Sequence, residues 1–236
     1  MMNSIFWEIV NSYNKKEIAH AFSIILRAHY EKIKMNELGI DKKFELNQMN
    51  NFQIVYDDEK FFLTTNKKEI IINNSLFNNL VTKIYQYFKD EYPINYDYKL
   101  IDPIFFSLFF YDVLDKIEKV NYDVINISDI RLLRYKSKPV SMDESERYKA
   151  LIDENYEMYS PFNSNLTIET PKQRLKRSLK SIKEKGYGYN DQYAIFYNDE
   201  PYIRDGQHRV AVIKYLYGDI DIKIIRVYLK DNYFYD

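Results

Sequence analysis

The chain contains no cysteine, and this absence removes several classes of site at once. Thiolate catalysis, disulfide bridges and zinc sites built from cysteine are excluded, and a disulfide-stapled secreted domain is not expected. The first ten residues also lack the basic segment with which a secretory signal begins. Together these absences predict a cytoplasmic protein.

Long apolar runs and an excess of one charge are also missing. No apolar run reaches the roughly eighteen residues that a membrane span needs, so we expect no membrane contact. The 34 Lys and Arg residues nearly balance 35 Asp and Glu residues, which leaves a net charge of -1. Because non-specific nucleic-acid affinity comes from clustered basic residues that neutralise phosphates, nucleic acid is not expected as a partner.

Hydrophobic residues make up 46% of the 236 residues and aromatic residues 17%, which is enough to bury a core. We interpret residues 1–120 as an N-terminal helical and β region that could engage a protein partner. Residues 121–236 are interpreted as an α/β domain. The predicted fold class is therefore α+β, with a mostly helical N-terminal region that carries a small hairpin or sheet.

Hydrophobic spacing in the N-terminal region predicts both helices and strands. The predicted helices cover residues 4–35, with a candidate break at 11–14, then 76–88 and 103–120. Residues 36–51 are expected to form a connector. The predicted strands cover residues 52–56, 61–64 and 69–72.

Nothing in the first 120 residues predicts a reaction. His20 and His29 are nine residues apart, so on one helix they face opposite ways and cannot share a metal. The aromatic residues between positions 105 and 111 fit either a stacking platform for bases or an ordinary core, and the area that aromatics bury favours the core.

Beyond Tyr122 the pattern becomes more β-rich, with extended segments expected at residues 124–127 and 130–133. Ser141 and Glu144 have the spacing of a capping box and predict the start of a helix. The carboxylates of Asp143, Glu144 and Glu146 fit either a solvated helix face or the site of a general base.

Thr170 and Pro171 predict a further helix, because threonine is a good N-cap and proline is favoured at the first helical position. Residues 171–190 hold seven basic residues and one acid, a local excess of +6. This patch fits either a solvated face or an anion site. Arg174 and Arg177 are the stronger candidates for phosphate contact, because arginine binds phosphate in a bidentate manner.

The most informative stretch is Asp205-Gly206-Gln207-His208-Arg209. A short extended segment ends there and an apolar helical run follows at once, so the amides of residues 206–209 should lie at a helix N-terminus, where phosphate is favoured. The glycine allows close approach and the arginine can add a charge-assisted hydrogen bond. In the alternative reading the aspartate merely caps the helix, the glycine turns the chain, and the histidine and arginine are solvated.

The segment from Thr170 to Leu229 resembles the ParB/sulfiredoxin superfamily. The Gly-x-x-Arg signature of that superfamily maps onto Gly206 and Arg209, and Asp before Gly with His before Arg is similar to ParB-like small-molecule kinases. The resemblance implies an α/β nucleotide-binding domain that holds phosphates at a helix N-terminus. It covers about the C-terminal quarter to third of the chain.

The positions at which this sequence differs from the superfamily motifs indicate which of the known activities it can share. Sulfiredoxin has a catalytic cysteine at the position of Gln207, so that activity is excluded. ParB partition proteins carry Glu-Arg-Arg after the glycine and a DNA-reading domain downstream, whereas only seven residues follow Leu229 here. The kinase form remains, and it implies ATP or ADP, with CTP as an alternative, and a small hydroxyl-bearing metabolite. Mg²⁺ would be bound mainly through the phosphates, and its protein ligands stay unassigned.

The kinase resemblance also implies roles for individual residues. Asp205 and His208 are the expected catalytic residues, the first holding a metal-bound water or taking the hydroxyl proton, the second contacting a phosphate or the leaving oxygen. The expected nucleotide contacts are Gly206, Gln207, His208, Arg209, Arg174 and Arg177. Two alternatives are a nucleotide-binding switch without turnover, whose partner binds through residues 1–120, and a ParB-like nuclease.

Overall fold

The computed structural model describes residues 15–39, 43–49, 52–65, 69–91, 116–134, 137–156 and 169–230. These residues fall into two compact units, one containing the described residues up to 91 and the other those from 116 onwards. Each unit combines helices with an antiparallel or mixed sheet. The predicted α+β fold class is confirmed.

The first unit is a four-stranded antiparallel sheet flanked in sequence by two helices. Its elements are α1 (Lys15–Leu38), β1 (Phe44–Met49), β2 (Phe52–Asp57), β3 (Lys60–Thr65), β4 (Glu69–Asn73) and α2 (Asn74–Glu91), with strand order β1-β2-β3-β4. Asp58 and Glu59 link β2 to β3 with φ of 46° and 57°, as a tight hairpin turn requires. Phe61 of β3 stacks on Phe77 of α2 with ring centroids 3.6 Å apart.

The strands predicted after residue 52 and the helix predicted at 76–88 are confirmed, but the predicted connector at 36–51 is wrong for β1. Phe44 and Leu46 are buried whereas Lys43 and Glu45 are exposed, which is the alternation of a half-buried strand. Three apolar positions among polar neighbours were too short a pattern to reveal this strand from the sequence. Residues 4–14 of the predicted N-terminal helix lie outside the described residues.

The second unit is built on a mixed four-stranded sheet. Its strands are β5 (Ile117–Asn126), β8 (Ala194–Tyr197), β9 (Ile203–Asp205) and β10 (Asp221–Leu229), in the order β5-β10-β8-β9. β10 is parallel to β8 and antiparallel to β5, and β6 (Arg131–Arg134) and β7 (Ser137–Ser141) form a separate hairpin. The helices are α3 (Glu146–Ile152), α4 (Pro171–Lys185) and α5 (Gln207–Tyr217).

Two sequence predictions in this part of the chain are wrong. The helix predicted over 103–120 cannot include residues 117–120, which form the start of β5 and pair with the end of β10, Val120 opposite Val227. The aromatic residues at 105–111 lie outside the described residues. The helix predicted from Ser141 begins instead at Glu146, since Ser145 accepts the backbone N–H of Tyr148 at 3.1 Å.

The helices α4 and α5 carry the candidate site residues, and both helices were predicted from the sequence. Thr170 and Gln173 form a reciprocal capping box at the start of α4, where Pro171 occupies the first position. Four consecutive residues of α5, Val210 to Ile213, are at most 2% exposed. The centre of α5 is thus buried on all sides, and this packing holds the helix and the turn before it against the sheet.

Candidate anion-binding site

The turn between β9 and α5 is built around Gly206. Its φ of 89° and ψ of 11° place it in the left-handed region, and it is the N-cap residue of α5 without any side chain to cap the helix. A β-carbon at this position would lie 2.8 Å from the α-carbon of the buried Ala194. Glycine is therefore required here both by backbone conformation and by space.

Asp205 and Arg209 close over this turn. The Nη2 group of Arg209 donates to the Asp205 carboxylate at 3.0 Å and to the backbone carbonyl of Tyr193 at 3.3 Å. The alternative in which Asp205 caps the helix is wrong, since Asp205 is the last residue of β9 and Gly206 occupies the N-cap. Arg209 is neither fully solvated nor buried, with 22% of its side chain exposed.

A partly buried tyrosine supports the strand on which the glycine packs. The backbone N–H of Ala194 donates to the Tyr187 hydroxyl at 3.0 Å. Burial raises the pKa of Tyr187 to about 12, so this hydroxyl stays protonated at any physiological pH. Tyr187 thereby fixes the start of β8 beneath the turn.

Four guanidinium groups lie near enough to His208 to act on its ionisation. Burial lowers its pKa well below 6.5, and the charges of Arg147, Arg174, Arg209 and Arg177 lower it further. The imidazole is therefore neutral at pH 7. A neutral imidazole has one ring N–H to donate and one ring nitrogen to accept.

Two of these arginines come from α4, which packs against α5. Arg174 and Arg177 are one turn apart and both partly buried, and Arg177 donates to the Glu169 carboxylate at 2.7 Å. The lysines of the same helix behave differently, with Lys176, Lys180, Lys183 and Lys185 all exposed. The sequence-predicted arginines and the motif are thus brought together, while most of the basic patch faces solvent.

Arg147 is the member of the cluster that sequence reasoning missed. It lies on α3, which also packs against α5, and it follows Glu146 within an acid-rich stretch. Local sequence suggested only a carboxylate face there. Contact between α3 and α5 is a tertiary relationship, and no spacing rule in the sequence predicts it.

A cavity of about 290 Å³ adjoins the motif at Gln207, the first residue of α5. Residues of the β6–β7 hairpin, of the start of α3 and of the first position of α5 line it. The lining residues are Leu132, Leu133, Val140, Ser145, Glu146, Arg147 and Gln207. Arg147 therefore belongs both to this cavity and to the arginine cluster.

Asp143, Glu144 and Glu146, the three candidates for a general base, have different surroundings. Asp143 forms an ion pair with the buried Lys214 at 3.0 Å, and Glu144 accepts from the backbone N–H of Ser141 at 2.9 Å. Glu146 lines the cavity. Asp143 and Glu144 are tied to structural partners, so Glu146 is the carboxylate of the three that the structure places beside the motif.

The chemistry of this turn suits a phosphate chain. A helix N-terminus, several guanidinium groups and a neutral imidazole are all donors to anionic oxygen. In the described part of the chain no three His, Asp or Glu side chains are grouped as metal ligands. Mg²⁺ can also be held mainly through phosphate oxygens, with one or two carboxylates from the protein. The carboxylate nearest to the turn is that of Asp205.

No protein-family model, no curated protein and no solved structure matches the chain. Among the helices described, none is both long and apolar enough to cross a membrane. The geometry of the turn and its arginines is therefore the basis on which a function is inferred.

Proposed function

We propose that this chain is a nucleotide-dependent phosphotransferase of the ParB/sulfiredoxin-like type, which phosphorylates a small hydroxyl-bearing metabolite. The observation that carries the proposal is that four guanidinium groups act electrostatically on His208 in the first turn of α5. Guanidinium groups, a neutral imidazole and a helix N-terminus together form a donor set that suits a di- or triphosphate, in addition to the ion pairs that Arg209 and Arg177 make with Asp205 and Glu169.

The amides of residues 206–209 and the guanidinium groups hold the phosphates in this proposal. Phosphoryl transfer requires little covalent help from a protein, so positioning and charge stabilisation supply most of the catalysis. Arg209, anchored by Asp205, and the two arginines of α4 stabilise the charge that develops on the transferred group. Mg²⁺, when bound, would neutralise charge on the phosphate oxygens.

His208 and Asp205 have separate roles in this arrangement. The neutral His208 ring donates a hydrogen bond to a phosphate oxygen or to the leaving oxygen. Asp205 holds Arg209 in place through its 3.0 Å ion pair, and its carboxylate can also accept a hydrogen bond from a metal-bound water. ATP or ADP is the expected donor, with CTP as the alternative.

A nucleotide-binding switch without turnover is the second candidate. It is favoured by the engagement of Asp205 with Arg209, because a carboxylate that is already ion-paired need not take part in proton transfer. In a switch, the same phosphate contacts would change the affinity for a partner and transfer nothing.

The test is to incubate the protein with each nucleoside di- or triphosphate, Mg²⁺ and a cell metabolite extract, and to follow transfer of labelled phosphate. Asp205→Asn keeps the size of the side chain and an oxygen that can still accept from Arg209, but it removes the charge, so a kinase should keep its nucleotide affinity and lose about 100-fold or more in turnover. Asp129→Asn, on an exposed residue of the same unit, is the control. Tight nucleotide binding without transfer to any component of the extract would replace the kinase by the switch.

A further inference from the structure

Strand β4 is an edge of the four-stranded sheet in the first unit, since the strand order is β1-β2-β3-β4. Its residues alternate between exposed and buried, and the central residue, Ile71, is 49% exposed. An edge strand presents backbone N–H and C=O groups with which another strand can pair. Proteins usually protect such an edge with a charged side chain, a proline or a bulge, and β4 has none of these at its centre.

The sheet face that carries Ile71 holds a row of three apolar side chains across three strands. Val55 of β2 is paired with Phe62 of β3, and Phe62 is paired with Ile71 of β4. Val55 and Phe62 are partly buried, whereas Ile71 is exposed. On the other side the row meets Glu45 of β1, which is paired with Val55. The row is therefore bounded by a carboxylate at the β1 edge and ends in an exposed isoleucine at the β4 edge.

We propose that β4 pairs in antiparallel fashion with β4 of a second copy of this chain, in the register that places the two Ile71 residues opposite each other. A two-fold axis at Ile71 makes such an interface self-complementary. The two sheets, with four strands from each copy, then form one continuous sheet in which the two apolar rows join. The inference does not depend on the phosphotransferase function, because it concerns the first unit alone.

The same register also matches charged groups. With Ile71 on the axis, Glu69 lies opposite Asn73 of the second copy, and Asn73 is paired with Lys60 within its own chain. Neighbouring strands are about 4.8 Å apart, so the backbones of Glu69 and of Lys60 in the second copy are about 10 Å apart, and their long side chains can meet over Asn73. Glu69 accepts from Thr64 at 3.3 Å through one carboxylate oxygen, which leaves the second oxygen for the lysine.

The opposite edge of the sheet offers no such match. The exposed residue with which the row reaches β1 is Glu45, which accepts a hydrogen bond from Gln53 in its own chain. A second β1 placed so that two rows join would bring Glu45 against its own copy, and like charges directly opposite each other are destabilising. The edge of this sheet that fits a second copy is therefore β4.

Sedimentation equilibrium of the full chain measures the assembly. At micromolar concentration we expect a mass twice the 28.7 kDa of one chain. Ile71→Lys places two positive charges together on the axis and should raise the dissociation constant of the dimer by about tenfold or more. Val124→Lys is the matched control, since Val124 is 59% exposed on β5, an edge strand of the other sheet. It should leave the dissociation constant unchanged.

Disulfide formation tests the register, since the chain has no cysteine of its own. Residues directly opposite in an antiparallel pair have α-carbons about 4.5 to 5.5 Å apart, within the range that a disulfide spans. Ile71→Cys should therefore cross-link to its copy under mild oxidation. Glu69→Cys should not, because in this register the two copies of position 69 are about 14 Å apart.

A charge exchange tests the contact between Glu69 and Lys60. Glu69→Lys should raise the dissociation constant by about fivefold, the upper range for an exposed ion pair, and adding Lys60→Glu should restore the wild-type value. If the second substitution does not restore it, the proposed register is wrong.

The remaining outcomes are equally decisive. A monomer at every concentration, or equal effects of Ile71→Lys and Val124→Lys, would overturn the β4 interface. Equal cross-linking of Ile71→Cys and Glu69→Cys would overturn its register. Should Ile71→Lys fail to fold, the smaller change in Ile71→Cys still decides whether the two copies meet at this position.

Discussion

The Nη2 atom of Arg209 lies 3.0 Å from the carboxylate of Asp205, and it would lie equally close to a β-carbon placed on Gly206 between them. The ion pair therefore passes directly over the glycine. Any side chain at position 206 would push against Arg209 on one side and the backbone of Ala194 on the other. The motif is thus a single packed unit in which glycine, acid and arginine depend on one another.

Gly206→Ala should destabilise the protein more than Gly39→Ala. Both glycines have a positive φ, 89° and 63°, which L-residues rarely adopt, and alanine there costs about 1 to 3 kcal/mol. Only position 206 is also crowded, and overpacking adds about 1 to 3 kcal/mol. Urea unfolding of both variants measures the difference. Equal losses would show that the space around Gly206 is not constrained.

The free energy of unfolding of the Tyr187→Phe variant should depend less on pH above pH 10 than that of the wild type. The folded-state pKa of about 12 lies above the usual value of 10, so the unfolded chain loses this proton first as pH rises. Stability is therefore complete below pH 10 and falls by about 2 to 3 kcal/mol between pH 10 and 12. The variant lacks this loss, although at pH 7 it forgoes one hydrogen bond worth about 1 kcal/mol.

Denaturant unfolding of wild type and Tyr187→Phe at pH 8 and at several values up to 12 provides the measurement. Tyr217→Phe is the control, because Tyr217 is 57% exposed. The control should follow the wild-type pH dependence. A Tyr187→Phe curve parallel to that of the wild type would contradict the burial of this hydroxyl.

The elements around the site were largely predictable, because their signals are local. Thr170 and Pro171 mark the start of α4, and Gly206 marks the turn before α5, each through a backbone preference that one or two residues express. The hairpin around Asp58 was predictable for the same reason. Such signals predict where an element begins but not what it packs against.

The remaining features depend on contacts between distant residues. Residues 117–120 form a strand because β10, more than one hundred positions later, pairs with them. Arg147 joins the cluster because α3 packs on α5, and Arg209 turns to Asp205 because Gly206 leaves room. Periodicity and capping rules carry no information about such contacts, so the sequence predicted the motif and two arginines but not the place of Arg147 in the cluster or the cavity.

His208 should link nucleotide binding to pH. In the unliganded protein its pKa lies well below 6.5, so on acidification the unfolded chain takes up this proton first and stability falls below about pH 6.5. A bound phosphate chain adds negative charge beside the ring and raises its pKa. Binding of ADP below pH 6.5 should therefore be accompanied by proton uptake.

Calorimetric titration at pH 6 in buffers of different ionisation enthalpy measures that proton uptake. His208→Gln should abolish the part of it that belongs to the imidazole. His29→Gln is the control, because His29 lies on α1 in the other unit. If proton uptake is the same in all three proteins, the phosphates do not lie beside His208.

The most direct test of the phosphate site is calorimetric titration of ATP and adenosine into wild type, Arg174→Met and Lys180→Met. Both substitutions remove one positive charge from α4, but Arg174 acts on His208 whereas Lys180 is exposed. We predict that ATP binds much more tightly than adenosine, that Arg174→Met weakens ATP by about 1.5 to 3 kcal/mol, and that Lys180→Met changes it by less than about 0.5 kcal/mol. Equal affinity for ATP and adenosine, or equal effects of the two substitutions, would contradict a phosphate site at the arginine cluster.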